Sequence, residues 1–268
     1  MNPWPLLLLV SAILVIGFAA TWAWARKLDN YSIVDAVWAF AIGLAACIWL
    51  CLGHGDPLKR LVAGTLVAAW SLRLGWHLQR RIRRAHPEED SRYAKLREHW
   101  HSRVDTSFFY FFQGQALLAL LMALPFFLVA QDTGAWRVWE TLGLGLSLIA
   151  ISGETLADHQ MTLFKRANKD SKSVCREGLW RYSRHPNYFF ESLIWLGFYL
   201  FACGSSGGWT MIHAPAIILF LLLRVTGVPP TEAAALARKG DAYRDYQRTT
   251  SAFIPLPPLA TPPHDQHR

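Results

Sequence analysis

The longest stretch without a formal charge constrains this chain most. Residues 192–223, 32 in all, contain no Asp, Glu, Lys or Arg. A segment this long can cross a hydrocarbon core about 30 Å thick, and a backbone in lipid must satisfy its hydrogen bonds internally, so it is predicted to be helical. Glycine and serine residues at 204–208 interrupt the run. They predict a tight turn between two antiparallel helices, Phe189–Cys203 and Trp209–Leu223.

Five further segments with few or no charges, flanked by Trp, Tyr, Lys or Arg, are typical of transmembrane helices. They are Trp4–Trp24, Ile33–Leu52, Leu61–Leu78, Phe108–Ala130 and Val138–Leu156. The first lacks a positively charged start and a clear cleavage site, so we expect it to be retained. Because 53 % of residues are hydrophobic and only 17 % charged, the predicted fold is all-α. It is a polytopic membrane protein, a seven-transmembrane-helix bundle forming a single domain, 1–268.

Arginine and lysine residues are distributed unevenly between the predicted loops. Of 27 in the chain, 22 follow the first, third and fifth predicted helices or lie in the C-terminal tail, whereas Lys59, Arg60 and Arg137 fall on the opposite side. Because cytoplasmic loops are enriched in Lys and Arg, we predict a bacterial inner-membrane protein with its N-terminus outside and its C-terminus cytoplasmic. The formal charge of +8 then reflects topology and an anionic ligand or leaflet. No pattern for nucleic-acid or metal binding occurs.

A polar, cationic and aromatic cluster lies just before the uncharged run. Between Arg181 and Asn187 it holds two arginines, a histidine and an asparagine but no acid. Ionisable residues at the edge of a bilayer are costly and usually functional, and these donors suit an anionic ligand such as a phosphate-bearing cofactor. The alternative is a basic stretch that only sets topology. Asn187, Tyr188 and Glu191 on the same segment argue against it.

Several polar residues lie inside the predicted helices. Asp35 and Trp38 share a face of the second helix, although an acid favoured by the helix dipole is the alternative for Asp35. Arg73, in the third helix, either snorkels to the interface or pairs with a buried acid such as Asp35. Gln113 lies beside Gly114 in the fourth helix and either meets a ligand or serves helix packing.

Two further polar groups lie towards the C-terminus. Glu154 and Asp158 share one face of the fifth helix, and such acids repel unless a ligand hydroxyl, amide or cation lies between them. Tyr243, Tyr246 and Arg248 form an amphipathic aromatic and basic stretch. This stretch either lies on the leaflet surface or closes over a cofactor.

The segment 179–191 resembles the C-terminal domain of the steroid 5α-reductase family, most closely its bacterial branch. Residues 154–160 and 240–255 are similar to two further landmarks of that family. The reductase-like region is therefore 150–255, followed by a flexible tail at 256–268. The resemblance implies a seven-helix bundle that reduces the Δ4 double bond of 3-oxo steroids with NADPH.

The same resemblance implies a set of NADPH-binding residues. Carried onto this chain, they are Glu154, Asp158, Lys165, Arg181, Tyr182, Arg184, His185, Asn187, Glu191, Tyr243, Tyr246 and Arg248. Tyr188 belongs to the same Arg-His-Pro-Asn-Tyr core. Preference for NADPH requires a cation at the 2′-phosphate, and Lys165, Arg166 and Arg248 are the candidates.

The family's carbonyl-polarising acid lies in the second helix, and Asp35 is its counterpart here. We expect a protonated Asp35 to donate to the enolate oxygen, because an apolar site keeps a carboxyl group neutral; pairing with Arg73 would instead keep it ionised. Trp38, Trp70 and Gln113 are the expected substrate contacts. The tyrosine that partners the acid in the family has no clear match in the third helix, where Trp70 stands near its position.

The predicted function is NADPH-dependent reduction of a 3-oxo-Δ4 steroid or a similar isoprenoid enone, reached from the membrane lipid. The Arg-His-Pro-Asn-Tyr core is also similar to that of other sterol reductases and of isoprenylcysteine and phospholipid methyltransferases. An S-adenosylmethionine-dependent lipid or isoprenyl methyltransferase is therefore the alternative enzyme. A non-catalytic sterol- or lipid-binding membrane protein is the third hypothesis.

Overall fold

The computed structural model describes residues 3–168, 170 and 172–259, and within these ranges it holds helices and no β-strand. The all-α fold class is confirmed. The α-helices are α1 (Trp4–Lys27), α2 (Ile33–Leu52), α3 (Pro57–Ala85), α4 (Ser91–Trp100), α5 (Val104–Gln131), α6 (Val138–Ala167), α7 (Pro186–Cys203), α8 (His213–Phe220), α9 (Val228–Lys239) and α10 (Asp241–Thr249). Short 3-10 helices span His101–Arg103, Gly178–Arg181 and Gly208–Ile212, and a π-helical turn spans Leu221–Val225.

Among the described residues, four helical runs are long and apolar enough to cross a membrane. They are Trp4–Lys27, Ile33–Leu52, Ser91–Gln131 and Gly208–Lys239. These runs indicate a membrane protein, as predicted. All seven predicted spans are helical, but a seven-span bundle remains a prediction because α3, α6 and α7 do not meet the same criteria of length and hydropathy.

The predicted turn at 204–208 is confirmed. Helix α7 ends at Cys203 and the next helical turn begins at Gly208. Gly207 adopts φ +72°, a left-handed conformation that glycine takes at little steric cost.

The chain divides into two compact units, and the single reductase domain expected from the sequence stays a prediction. Unit 1 comprises Met1–Leu144 and Phe198–Ala214, and unit 2 comprises Gly145–Gly197 and Pro215–Arg268.

In unit 1, small residues bring α2 and α3 together. A side chain at Gly43 would collide with Ser71, and the Ser71 hydroxyl donates to the carbonyl of Ala39 at 2.9 Å. Small residues of this kind let helix backbones approach closely and are typical of membrane helix packing.

Aromatic contacts in unit 1 fix how α2 lies against α5. Tyr31, just before α2, stacks on Phe108 with ring centroids 3.7 Å apart. Trp49, near the other end of α2, meets Phe127 edge-on at 5.1 Å. Helices α2 and α5 therefore run side by side in the same direction.

A buried ion-pair network also belongs to unit 1. The Lys59 amine lies 2.6 Å from the Asp132 carboxylate and 2.5 Å from that of Glu140. Lys59 lies in the first turn of α3, Asp132 follows α5 and Glu140 lies in the first turn of α6. We call these three residues the lysine triad. It ties three helices together through charges.

In unit 2, the end of the chain bonds back onto the segment before α7. The Ser183 hydroxyl donates to the Phe253 carbonyl at 2.8 Å, and Arg184 N donates to the Ser251 carbonyl at 2.8 Å. The predicted flexible tail begins with Leu256, whose N–H donates to the Tyr182 carbonyl at 3.0 Å. Residues 260–268 of that tail lie outside the described residues.

Candidate functional site

Asp35 lies at the centre of a polar cluster in unit 1. One of its oxygens, Oδ1, accepts a hydrogen bond from the Tyr93 hydroxyl at 2.5 Å, and the other lies 2.6 Å from Nη2 of Arg92. Arg92 also bonds the Asp90 carboxylate at 3.0 Å. We call Asp35, Asp90, Arg92 and Tyr93 the acid–tyrosine cluster. It joins the first turn of α2 to the first turn of α4.

The start of α4 is positioned by its capping residue. The Asp90 carboxylate accepts from the backbone N–H of Arg92 at 3.0 Å, which satisfies an otherwise unpaired helix donor. The Asp90 N–H in turn donates to the Ser32 hydroxyl, just before α2, at 2.8 Å. Burial raises the pKa of Asp90, but the hydrogen bonds and charge of Arg92 more than offset this and hold the pKa below the ordinary 3.8. Asp90 is therefore ionised at neutral pH.

The ion pair with Arg92 changes the role expected of Asp35. A carboxyl group that donates to the substrate was predicted, but both Asp35 oxygens already have partners, Arg92 and Tyr93. Arg92 was missed because it lies far from Asp35 in the sequence. Because Asp35 accepts the Tyr93 hydroxyl, it is suited to orienting Tyr93.

Tyr93 is the functional candidate that the sequence did not reveal. The expected tyrosine partner of the acid was sought in the third helix, but Tyr93 lies in α4, which follows α3. Its side chain is buried and packs edge-on against Phe111 at 6.0 Å. The available signal was its position three residues after the capping Asp90.

Two predicted substrate contacts, Trp38 and Gln113, have buried hydrogen-bond donors in unit 1. The indole N–H of Trp38 and the side-chain amide of Gln113 have no hydrogen-bond partner among the described residues. Because Tyr31 lies opposite Phe108 and α2 runs in the same direction as α5, Gln113 lies close to the level of Asp35. Buried donors without a partner are costly, and an oxygen-bearing ligand would satisfy them.

The other two residues predicted at the substrate end lie on α3. Trp70 is fully buried and meets Phe198 edge-on with ring centroids 6.2 Å apart. This contact makes Trp70 a core-packing residue of unit 1. Arg73 is half-buried on the same helix, and its predicted pairing with Asp35 remains a prediction.

In unit 2, Arg184 bonds to the protein itself. Its Nε lies 2.6 Å from the Glu232 carboxylate, and Nη1 donates to the carbonyls of Thr250 at 2.6 Å and Gln247 at 3.1 Å. His185 lies 3.3 Å from the same carboxylate. Arg184 thus anchors α9 and α10, whereas the sequence predicted a contact with a cofactor phosphate. Glu232 was missed because it lies on a helix that no motif marked.

The two predicted tyrosines of α10 are buried. Burial raises the pKa of Tyr243 to about 12 and raises that of Tyr246 as well, so both hydroxyls stay protonated at neutral pH. The Tyr246 hydroxyl donates to the carbonyls of Trp180 and, at 3.2 Å, Ser183. Helix α10 therefore docks on residues 180–183, part of the segment predicted to bind the cofactor, and its closure over a cofactor stays a prediction.

A buried polar seam runs between α6 and α7 in unit 2. Glu154 is 4 % exposed and Glu191 is 6 % exposed, and the Asn187 amide donates to Asp158 at 3.5 Å. The Oδ1 atom of Asn187 is buried without a hydrogen-bond partner among the described residues. We call Glu154, Asp158, Asn187 and Glu191 the helix seam. Acceptors buried among apolar helices suit a ligand that brings hydroxyl or amide donors.

The remaining predicted cofactor residues lie nearer the surface of unit 2. The exposed ones are Lys165, Arg166, Arg181, Tyr182 and Arg248. Tyr188 is half-buried, stacks on His185 with centroids 5.2 Å apart and bonds Thr231 at 3.1 Å. The exposed cations are accessible to phosphate groups. No group of His, Cys, Asp or Glu in the described part of the chain could hold a metal ion.

Comparison with known proteins matches residues 21–250 to a family described as "Protein of unknown function (DUF1295)". The chain is also similar to an uncharacterized protein of Schizosaccharomyces pombe. The two are 29 % identical over 289 residues, covering 95 % of this chain and 80 % of the relative. No solved structure matches the chain significantly. These matches leave the activity to be inferred from the chemistry of the site.

Proposed function

The chain belongs to the DUF1295 family, and from the chemistry of its polar clusters we propose that it is a membrane-embedded reductase. It transfers a hydride from NADPH to the β-carbon of a lipophilic enone, such as a 3-oxo-Δ4 steroid or an isoprenoid enone. The observation that supports this most is the 2.5 Å bond between Tyr93 and Asp35. An acid on the second helix with a tyrosine partner is the pair that the resemblance to steroid 5α-reductases implies.

The residues of unit 2 fit NADPH in their chemistry. The helix seam offers buried acceptors, including the unpartnered Asn187 Oδ1, for the ribose hydroxyls and the carboxamide N–H groups. The exposed cations Lys165, Arg166, Arg181 and Arg248 suit the phosphates. Bound NADPH would supply the two electrons and the hydrogen added to the β-carbon.

On the substrate side, the task of the protein is to stabilise negative charge on the carbonyl oxygen. The Tyr93 hydroxyl is the proposed donor to that oxygen. Its single proton is donated to Asp35 in the ligand-free protein, and substrate binding would turn it from the Asp35 carboxyl group, which stays paired with Arg92, to the carbonyl oxygen. Asp35 orients Tyr93, and the Trp38 and Gln113 donors add to the polar contacts of the oxygen. One such preorganised donor typically contributes about 10²- to 10³-fold to the rate.

We further propose that all seven predicted spans cross the bacterial inner membrane, with the C-terminus in the cytoplasm. Of the three basic residues on the predicted outer side, Lys59 is fully buried in the lysine triad. Fewer than three basic residues are therefore exposed on the predicted outer side. This strengthens the excess of exposed Lys and Arg on the predicted cytoplasmic side. A reporter fused to the C-terminus tests this, and a periplasmic signal would overturn the seven-span count.

Ligand-induced stabilisation separates the three functional hypotheses. Purified protein in detergent is heated with NADPH, NADH or S-adenosylmethionine, because a ligand that binds only the folded state raises the unfolding temperature. The reductase predicts stabilisation by NADPH above that by NADH. Stabilisation by S-adenosylmethionine alone would point to the methyltransferase, and no response to any nucleotide would point to a lipid-binding protein.

A further inference from the structure

A cavity in unit 2 lies apart from the helix seam, where the last turns of α6 meet the 175–178 loop. Its volume is about 350 Å³. One wall is fixed by Gln160, whose side-chain oxygen accepts from Leu179 N at 2.9 Å. Gly178 adopts φ +56°, and a side chain there would collide with Gln160. Glycine is therefore favoured at position 178, by its backbone conformation and by the closeness of Gln160.

The lining of this cavity combines apolar and polar groups. Leu163 and Phe164 provide apolar faces, Asn168 and Gln160 provide amides, and Glu177 provides a carboxylate. A flat heterocyclic base stacks on an aromatic ring and bonds amides along its edge, while a carboxylate accepts from the ribose 3′-hydroxyl, which stays free when the 2′-oxygen carries a phosphate. The volume lies within the range of small-ligand pockets, about 300–1,000 Å³. These features fit an adenosine group.

Positive charge converges beside the same cavity. Lys239, the last residue of α9, interacts electrostatically with Lys165 of α6, with Arg238 and with the buried Cys175 of the cavity wall. Cations brought together from two helices create a local positive potential, which favours an anion of high charge density such as a phosphate. Lys239 was not among the candidates from the sequence.

We propose that this cavity holds the adenosine end of the cofactor and that Lys239, together with Lys165, binds its 2′-phosphate. The inference rests on the proposed function and specifies how the same cofactor is chosen. It assigns the preference for NADPH over NADH to the meeting point of α6, α9 and the 175–178 loop.

The first test removes the charge of Lys239 in the full-length protein. Affinities for NADPH, NADH and adenosine 2′,5′-bisphosphate are measured for Lys239→Ala, for the charge-retaining Lys239→Arg and for the control Lys27→Ala, which removes an exposed lysine of unit 1. Loss of one charge-assisted contact should weaken binding of NADPH and of the bisphosphate about 10- to 100-fold. Affinity for NADH should stay unchanged, and the Lys239→Arg and Lys27→Ala variants should retain the wild-type preference.

A second test fills the cavity without altering charge. Ala167, an exposed residue lining the cavity, is replaced in Ala167→Trp, with Ala233→Trp on the exposed face of α9 as the control. Only Ala167→Trp should weaken the binding of adenosine 2′,5′-bisphosphate, by at least about tenfold.

The outcomes distinguish this inference from the function on which it rests. If wild-type protein binds NADPH but both Lys239→Ala and Ala167→Trp bind it normally, the cavity assignment is wrong and the reductase proposal stands. Equal weakening of NADPH and NADH in Lys239→Ala would also overturn the 2′-phosphate contact. If wild-type protein binds neither NADPH nor the bisphosphate, both proposals fail.

Discussion

Two of the charge networks in unit 1 differ in one instructive respect. In the lysine triad, the side chains of Lys59 and Glu140 are 0 % exposed, and the second Glu140 oxygen accepts from Arg137 N at 3.0 Å. In the acid–tyrosine cluster, the side chains of Arg92 and Asp35 remain 27 % and 22 % exposed. Both networks place charged side chains between packed helices. Of the two, the acid–tyrosine cluster includes a tyrosine hydroxyl and the lysine triad does not.

The difference shows that a buried charge alone does not identify an active site in a membrane bundle. In the lysine triad, the Lys59 and Glu140 side chains are fully buried, and a side chain at Gly204 would collide with the Glu140 carboxylate, so this region is closely packed. The acid–tyrosine cluster remains partly open and lies near the level of the unsatisfied Gln113 donor. We therefore propose a structural role for the lysine triad and a catalytic role for the acid–tyrosine cluster. The variants below test that division.

The largest expected effect is on folding, from the lysine triad. Lys59→Met leaves two carboxylates without their cation, and breaking such a buried pair typically costs about 3–5 kcal/mol. We expect a strong drop in the yield and unfolding temperature of the purified protein. The double variant Lys59→Met/Glu140→Leu should recover part of the loss, because it removes a stranded charge. Wild-type unfolding of Lys59→Met would contradict the structural role.

The next effect is on turnover, from the cluster. Tyr93→Phe removes the proposed donor and should lower turnover with a 3-oxo-Δ4 steroid by about 10²- to 10³-fold. Its unfolding temperature should fall much less than that of Lys59→Met. Tyr31→Phe is the matched control, since Tyr31 is also buried and bonds a carboxylate, Asp105, at 2.9 Å. Equal loss of turnover in both variants would remove the special role of Tyr93.

Asp35→Asn tests whether the acid donates or only positions. If Asp35 orients Tyr93, turnover should fall about 10- to 100-fold, as it does when a residue that orients a metal ligand is lost. Affinity for NADPH should stay unchanged. The loss should be smaller than in Tyr93→Phe. A loss larger than that of Tyr93→Phe would restore the carboxyl group as the direct donor.

The smallest effect is the stability contributed by Asp90. Because its folded-state pKa lies below the ordinary 3.8, its contribution is present above about pH 4 and is lost as the pH falls through the folded value. Asp90→Asn keeps a side chain that can cap the helix but removes the ion pair with Arg92, so it should lower stability at neutral pH by up to about 1 kcal/mol. The difference from wild type should shrink below pH 4 in thermal unfolding measured from pH 7 to pH 3. A difference that grows towards low pH would have the wrong sign.

Local patterns predicted the helices well. Helix α2 has the bounds read from the sequence, Ile33–Leu52, and the glycine-rich turn after Cys203 is where composition placed it. Both features depend on residues near one another in the chain, where charge-free runs and glycine act directly on the backbone.

The partners of the polar residues were less predictable, because they come from distant segments. Tyr93 and Arg92 reach Asp35 from a short helix that no apolar periodicity marks. Likewise, Glu232 of α9 forms an ion pair with Arg184. A cation that was expected to face a ligand therefore also holds two parts of the chain together. Which donor remains available to a ligand is decided by tertiary contacts that motif spacing does not encode.

Isotope transfer tests the central claim most directly. Wild-type protein is incubated with a 3-oxo-Δ4 steroid and NADPH deuterated at the reactive ring carbon of the nicotinamide, on one face or the other. The account predicts a saturated ketone carrying one deuterium at the β-carbon, derived from one of the two labelled cofactors. It also predicts slow transfer in Tyr93→Phe and normal transfer in Tyr31→Phe. A substrate recovered without reduction or deuterium from either cofactor would contradict it.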